Sequence, residues 1–187
     1  MSDAELDRGY DIIGDVHGCA HTLERLLEQM GYRRLNGVWQ HPRRQALFLG
    51  DIIDRGPRIR EALHLVRDMV EAGQARCIMG NHEFNAICWE TPAPPGSARS
   101  YLREHTERHH RLIGDTLAQF DPWPQEWREF VQWFGDLPLF LDMGPFRLVH
   151  ACWDSSLIEP LRQDYPDGRI DDAFLIASAH SGSFPAQ

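Results

Sequence analysis

Three short segments place metal-capable side chains directly after a glycine: Gly14-Asp15-Val16-His17-Gly18, Gly50-Asp51-Ile52-Ile53-Asp54-Arg55-Gly56 and Gly80-Asn81-His82-Glu83. A fourth, Val149-His150-Ala151, ends an apolar run on a histidine. Carboxylates, an amide oxygen and imidazoles form a mixed oxygen and nitrogen donor set, which suits manganese, iron, cobalt or zinc better than calcium or magnesium. A single Gly-Asp pair after a strand is ordinary turn or cap chemistry. Four strand ends bearing such residues in one chain point instead to a shared metal site.

The elements that must carry these residues alternate. Tyr10 to Gly14 reads as a strand, and His21 to Met30 as a helix with Leu23, Leu26, Leu27 and Met30 on its buried face. Ala46 to Gly50 is a second strand, followed by a helix over Arg58 to Ala72 bearing Ile59, Ala62, Leu63, Val66 and Val70. Ala75 to Met79 is a third, with a helix beginning near His82. This order indicates an α/β domain with an at least partly parallel sheet, whose functional groups gather at the carboxyl ends of the strands. Thr91 to Gly96 reads as a loop, Arg99 to Gln119 as a polar helix, and Glu126 to Phe134 as a helix with Trp127, Phe130, Val131 and Phe134 in the core. Leu139 to Asp142 and Phe146 to Val149 read as paired antiparallel strands. The tail after Ala151 is weakly patterned, with helical character around Asp171 to Ala179.

The 187 residues are 42% hydrophobic and 25% charged, which fits one folded domain over 1–187 and excludes global disorder. No apolar run approaches the roughly 20 residues of a membrane span, and the acidic start MSDAELDRG is unlike a signal peptide. The expectation is a cytoplasmic protein without membrane contact. Cys19, Cys77, Cys88 and Cys152 lie far apart with no C-x-x-C, so reduced thiols are expected, and Cys19 and Cys152 read as inert packing. A formal charge of −9 argues against stable nucleic-acid binding and suits a protein that collects cations.

GDVHG, GDIIDRG and GNHE, within residues 10–153, resemble the signature set of the calcineurin-like metallophosphoesterases. The likeness is to the phosphoprotein phosphatase branch and its bacterial relatives, including symmetrical diadenosine tetraphosphatases. It implies a sandwich of two sheets flanked by helices, with residues 90–135 as a helical insert or lid. It also implies two divalent ions, manganese first, with iron, zinc, cobalt or nickel as the other members of the set. Asp15 and His17 are then ligands of the first ion, Asp51 the carboxylate shared by both, and Asn81 and His150 ligands of the second. A phosphate ester or phosphoanhydride is hydrolysed by metal-bound hydroxide. His82 is the general acid, oriented by Asp54. Arg55 binds phosphate, Asn81 assists it, and Glu83 is a structural buttress.

The family also places a further metal-binding histidine on a late strand and a second phosphate-binding arginine before it. His180 is the only later histidine, and Arg162 and Arg169 are the weak candidates for the arginine, so the chain reads as short of C-terminal elements. Arg103, His105, His109 and His110 read first as part of a solvated polar helix, with a substrate-recognition lid as the alternative. The enzyme reading leaves phosphoprotein and dinucleoside polyphosphate substrates open and says nothing about oligomeric state. The competing reading is a truncated, catalytically weak metal-binding or interaction protein.

Overall fold

The computed structural model describes residues 9–180. Its centre is a three-stranded parallel sheet in the order β1 (Gly9–Ile13), β4 (Arg44–Phe48), β5 (Ala75–Cys77), with Ile13 beside Phe48 and Phe48 beside Cys77. Strand β4 is in the middle and its last three residues are buried, so both of its faces must be covered. Side-chain alternation divides them. Ala46 and Phe48 face the helices α1 (Ala20–Gln29) and α2 (Ile59–Glu71) through Leu23, Leu27, Ile59 and Val66. Leu47 points the other way, into a cluster with Ile78, Met143 and Leu148. Met143 and Leu148 belong to the antiparallel hairpin of β6 (Phe140–Asp142) and β7 (Arg147–Val149), which forms the second layer of the sandwich. Filling both faces of one strand ties the two sheets together, and truncating fully buried Leu47 to Ala would cost about 2–5 kcal/mol.

The helices follow their apolar spacing. Ile59, Ala62, Leu63, Val66 and Met69 are buried along α2. In α1 only Ala20, Leu23 and Leu27 are buried, and Leu26, expected on the buried face, is 39% exposed because that helix presents a narrow stripe to the sheet. Helix α3 (Asn81–Glu90) follows β5, and α5 (Pro124–Gly135) lays Trp127, Phe130, Trp133 and Phe134 into the same core.

Four details differ from the sequence expectation. A hairpin joins β2 (Arg33–Leu35) to β3 (Val38–Gln40) through Asn36 and Gly37, both at positive φ (51° and 87°), the two-residue turn that Asn-Gly favours. Helix α4 spans Glu107–Phe120 and does not start at Arg99, because the side chain of Thr106 accepts from the backbone N–H of His109 and caps it there. Residues 91–106 instead fold back on α3. In the weakly patterned tail, α6 (Ser155–Asp164) forms with Pro160 inside it, and it packs with α7 (Asp172–Ser178) on Phe140 through Ile158, Leu161 and Phe174. Finally, Cys19 and Cys152 are exposed, so neither is packing material. Among the described residues no helix is long and apolar enough to cross a membrane.

Candidate metal centre

All three parallel strands deliver their loops to one edge. Asp15 and His17 follow β1, Asp51 to Arg55 follow β4, and Asn81 and His82 open α3 after β5. His150 follows β7 in the other layer. The loops are stitched by backbone hydrogen bonds: Val16 and His17 donate to the Asp51 carbonyl, and Gly18 donates to that of Ile52. Such close approach leaves no room for side chains. A Cβ on Gly80 would lie 2.2 Å from Asp51 Oδ1, and one on Gly56 would lie 1.9 Å from the His17 carbonyl.

Four non-glycine residues of this edge have positive φ: His17 (42°), Asp51 (52°), Asp54 (68°) and Arg55 (68°). Each costs on the order of 1–3 kcal/mol and persists only where its surroundings over-determine it. Glu83 is one such surrounding. Its carboxylate is fully buried and accepts from the backbone N–H groups of Asp51 (2.8 Å), Ile52 (2.8 Å) and Gly80 (3.0 Å), with that of Ile53 longer at 3.4 Å. Burial pushes its pKa up, as does the Asp51 charge, while the backbone donors hold it down. The role of buttress read from the sequence fits this geometry.

Asp51 is the hub. Its Oδ2 lies 3.8 Å from His17 Nε2, 3.7 Å from His82 Nε2 and 3.5 Å from His150 Nε2. Asp15 Oδ2 is 3.7 Å from His17 Nε2, and Asn81 Oδ1 is 3.0 Å from His150 Nε2. The five expected ligands, Asp15, His17, Asp51, Asn81 and His150, therefore stand together. Two trios of donors converge closely enough to hold an ion, His17, Asp51 and His82, and Asp15, Asp51 and His150, a division that separates Asp15 from His17 and includes His82, unlike the expected one. Asp51 belongs to both, as a bridging carboxylate must.

The tautomers test the fit. His17 Nδ1 meets the Ile53 carbonyl at 2.8 Å and His150 Nδ1 meets that of Leu49 at 2.7 Å. A carbonyl can only accept, so each Nδ1 carries a proton, and a ring that is neutral keeps the Nε2 lone pair for a metal. His17 Nε2 is buried with no hydrogen-bond partner. Lone pairs facing carboxylate oxygens at 3.5–3.8 Å repel unless a cation lies between, and two ligands each about 2.1 Å from one ion sit at most ~4.2 Å apart. The residues present fit divalent ions.

His82 is wired differently. Its Nδ1 is 2.5 Å from Asp54 Oδ2, and its Nε2 faces Arg55 Nη2 at 3.3 Å. The hydrogen bond to Asp54 raises its pKa most, with burial opposing and Asp51 adding to the rise. Asp54 is in turn held by Thr116, whose hydroxyl donates to Oδ1 and accepts from the Asp54 N–H. Thr116 was not singled out from sequence, although its signal was there: it occupies the core stripe of α4 between Ile113 and Phe120 as a fully buried polar residue. Arg55 is exposed at the rim of a cavity of about 210 Å³ that it lines with Asp54, Asn81, His82, Asn85, Arg103 and His109. Arg103, read from the sequence first as part of a solvated helix and alternatively as part of a substrate-recognition lid, precedes that helix and lines this cavity. The remaining candidates lie elsewhere. His180 is beside Ala93 and Pro94, Arg162 pairs with Asp142 and Glu159, and Arg169 pairs with Asp167.

The family model for calcineurin-like phosphoesterases matches residues 10–183. Among curated proteins, the chain is 41% identical over 165 residues to the bis(5'-nucleosyl)-tetraphosphatase PrpE of Bacillus thuringiensis, covering 83% of this chain and 59% of that one. It is 51% identical over 73 residues to the PrpE of Oceanobacillus iheyensis, covering 38% of this chain and 29% of that one. Both relatives are described as asymmetrical tetraphosphatases, within the diadenosine tetraphosphatase relatives that the motifs resemble. A cold-active protein-tyrosine phosphatase of a psychrophilic Shewanella superposes with a TM-score of 0.56 over 98% of this chain and 60% of its own, at 19% identity, a likeness of fold alone. The chain thus spans less than two thirds of the length of these proteins. The donor side chains at the strand ends, the carboxylate shared by both trios and the family match agree, and the chain belongs to the calcineurin-like phosphoesterases.

Proposed function

We propose that the chain is a dinuclear metal-dependent phosphoesterase, with manganese as the first choice of ion. The observation that carries this reading is the orphaned Nε2 of His17 beside Asp15 and Asp51, in a cluster where one Asp51 oxygen faces three imidazole nitrogens. Asp15 and His17 would hold one ion, Asn81 and His150 the other, and Asp51 both. When bound, the ions supply a water nucleophile at neutral pH and neutralise the phosphoryl oxygens. The chain's own residues do the rest. Arg55 offers a planar fork to phosphate oxygens. His82 gives its proton to the leaving oxygen, and Asp54, held by Thr116, keeps the ring oriented and protonated.

Phosphate esters and phosphoanhydrides both satisfy this machinery. The curated relatives favour a dinucleoside polyphosphate, and the GNHE segment with Arg55 keeps a phosphoprotein open. Purified chain with added manganese should hydrolyse an activated aryl phosphate, and Asp51→Asn should abolish turnover. Equal turnover by that variant would sink the reading. Comparing phosphoserine peptide, phosphotyrosine peptide and diadenosine tetraphosphate assigns the substrate.

A second reading, a weak metal-binding protein, draws on one observation: His180, the remaining histidine candidate, does not join the ligands. Robust turnover with tightly held metal would exclude it.

A further inference from the structure

The cavity beside His82 holds two guanidinium groups. Arg55 reaches it from the loop after β4, and Arg103 from the segment between α3 and α4. Arg103 is half-buried, and its Nη1 donates to Asn85 Oδ1 at 2.5 Å. Among the described residues no carboxylate lies within ion-pair distance of it. Asp54 shares the lining but is engaged by His82 and Thr116. Burial lowers the pKa of Arg103, a measure of what its charge gives up in leaving water. An arginine stays charged nonetheless. A half-buried cation with only a neutral acceptor has unmet capacity for an anion.

Its position is rigid. The Arg103 N–H donates to the Cys88 carbonyl and that of Leu102 to Thr91. Tyr101 bridges to Pro92, and the ring of His105 is stacked between those of Trp89 (3.6 Å) and Tyr101 (4.1 Å). Arg103 is thus fastened to α3, the helix that opens with Asn81 and His82. A second hollow of about 270 Å³ shares Asn85, Arg103 and His109 with the first, and Arg99 and Glu104 are also among its lining residues. Arg103 thus lines both hollows, Arg55 the one beside His82 and Arg99 the other.

We propose that Arg103 binds the phosphate next to the one held at the metal ligands, so that the site takes polyphosphate chains in preference to phosphomonoesters. This deepens the phosphoesterase reading and rests on it. A monoester places one phosphate against Arg55 and leaves Arg103 unfilled. A phosphoanhydride chain has a further phosphate to offer that fork, which is already in position, and this lowers the entropy lost on binding.

The test compares the wild type with Arg103→Met and Arg103→Lys in two assays. In the first, manganese-saturated protein hydrolyses diadenosine tetraphosphate or an aryl phosphate. The Met variant should lose about tenfold to a hundredfold more kcat/KM on the polyphosphate than on the aryl phosphate, the worth of one charged hydrogen-bonding group. In the second, calorimetry follows tripolyphosphate binding to the metal-free chain, which reports on the subsite without catalysis. Affinity should fall about tenfold or more in the Met variant and partly recover in the Lys variant, which keeps the cation. Equal losses on both substrates, unchanged tripolyphosphate affinity, or Met and Lys variants of equal weakness would each overturn the proposal. A wild type that binds tripolyphosphate through Arg103 but turns over neither substrate would refute the enzyme reading and leave the subsite standing.

Discussion

Replacing Glu83 with Ala removes the acceptor that fixes the Asp51 loop, and its cost can be worked from the geometry. Three backbone donors, of Asp51, Ile52 and Gly80, lie 2.8–3.0 Å from the carboxylate in a fully buried setting. Each donor left unsatisfied costs about 1–3 kcal/mol, so the gross loss is on the order of 3–9 kcal/mol. Two effects offset it: the burial that raises the Glu83 pKa is relieved, and water can enter the space left behind. A net loss near the lower end, about 3 kcal/mol, is therefore expected, or a fall in melting temperature of about 6–12 °C for a chain of this size. Asp51, no longer forced to positive φ, should also bind metal more weakly. Thermal denaturation followed by circular dichroism, with and without manganese, reads both effects. A melting temperature within about 2 °C of wild type, with an unchanged shift on adding manganese, would refute the reasoning.

Three further outcomes are expected. In metal-free protein the raised His82 pKa contributes stability that is fully present below its unfolded value and lost as pH rises through the folded one. The stability lead of wild type over Asp54→Asn should therefore shrink as pH rises above about 6.5, as chemical denaturation at stepped pH would show. In turnover the alkaline limb of the kcat profile should move to lower pH in Asp54→Asn, because His82 must be protonated to act; an unmoved limb would remove His82 as the acid. Gly80→Ala should prevent folding or metal binding, since its Cβ would meet Asp51 Oδ1 at 2.2 Å, whereas Gly114→Ala in α4 meets nothing nearer than 4.0 Å and should stabilise by about 0.5–1 kcal/mol. Melting temperatures of the two purified variants decide this.

Much of the site was legible because its chemistry is local. Each expected ligand sits within four residues of a strand end, and the glycines that let the loops meet are written beside them, so Gly80 and Gly56 mark the close approaches. That β1, β4 and β5 run parallel followed from alternating strand and helix patterns. What stayed hidden depends on tertiary packing. Arg103 becomes a site residue only because Thr106 caps α4 late and the preceding segment folds back onto Trp89 and Cys88. Thr116 supports Asp54 across 62 residues of sequence, and no periodicity shows a partner at that distance. Helix α6 forms around Pro160 because its apolar face has Phe140 to cover, an outcome set by burial over local propensity.

Metal content tests the central claim most directly. After incubation with manganese and removal of excess, elemental analysis of the wild type is expected to find two ions per chain, and of Asp51→Asn far fewer, because one carboxylate faces both trios. A wild type that retains no metal, or an Asp51→Asn variant that retains as much as wild type, would contradict the account.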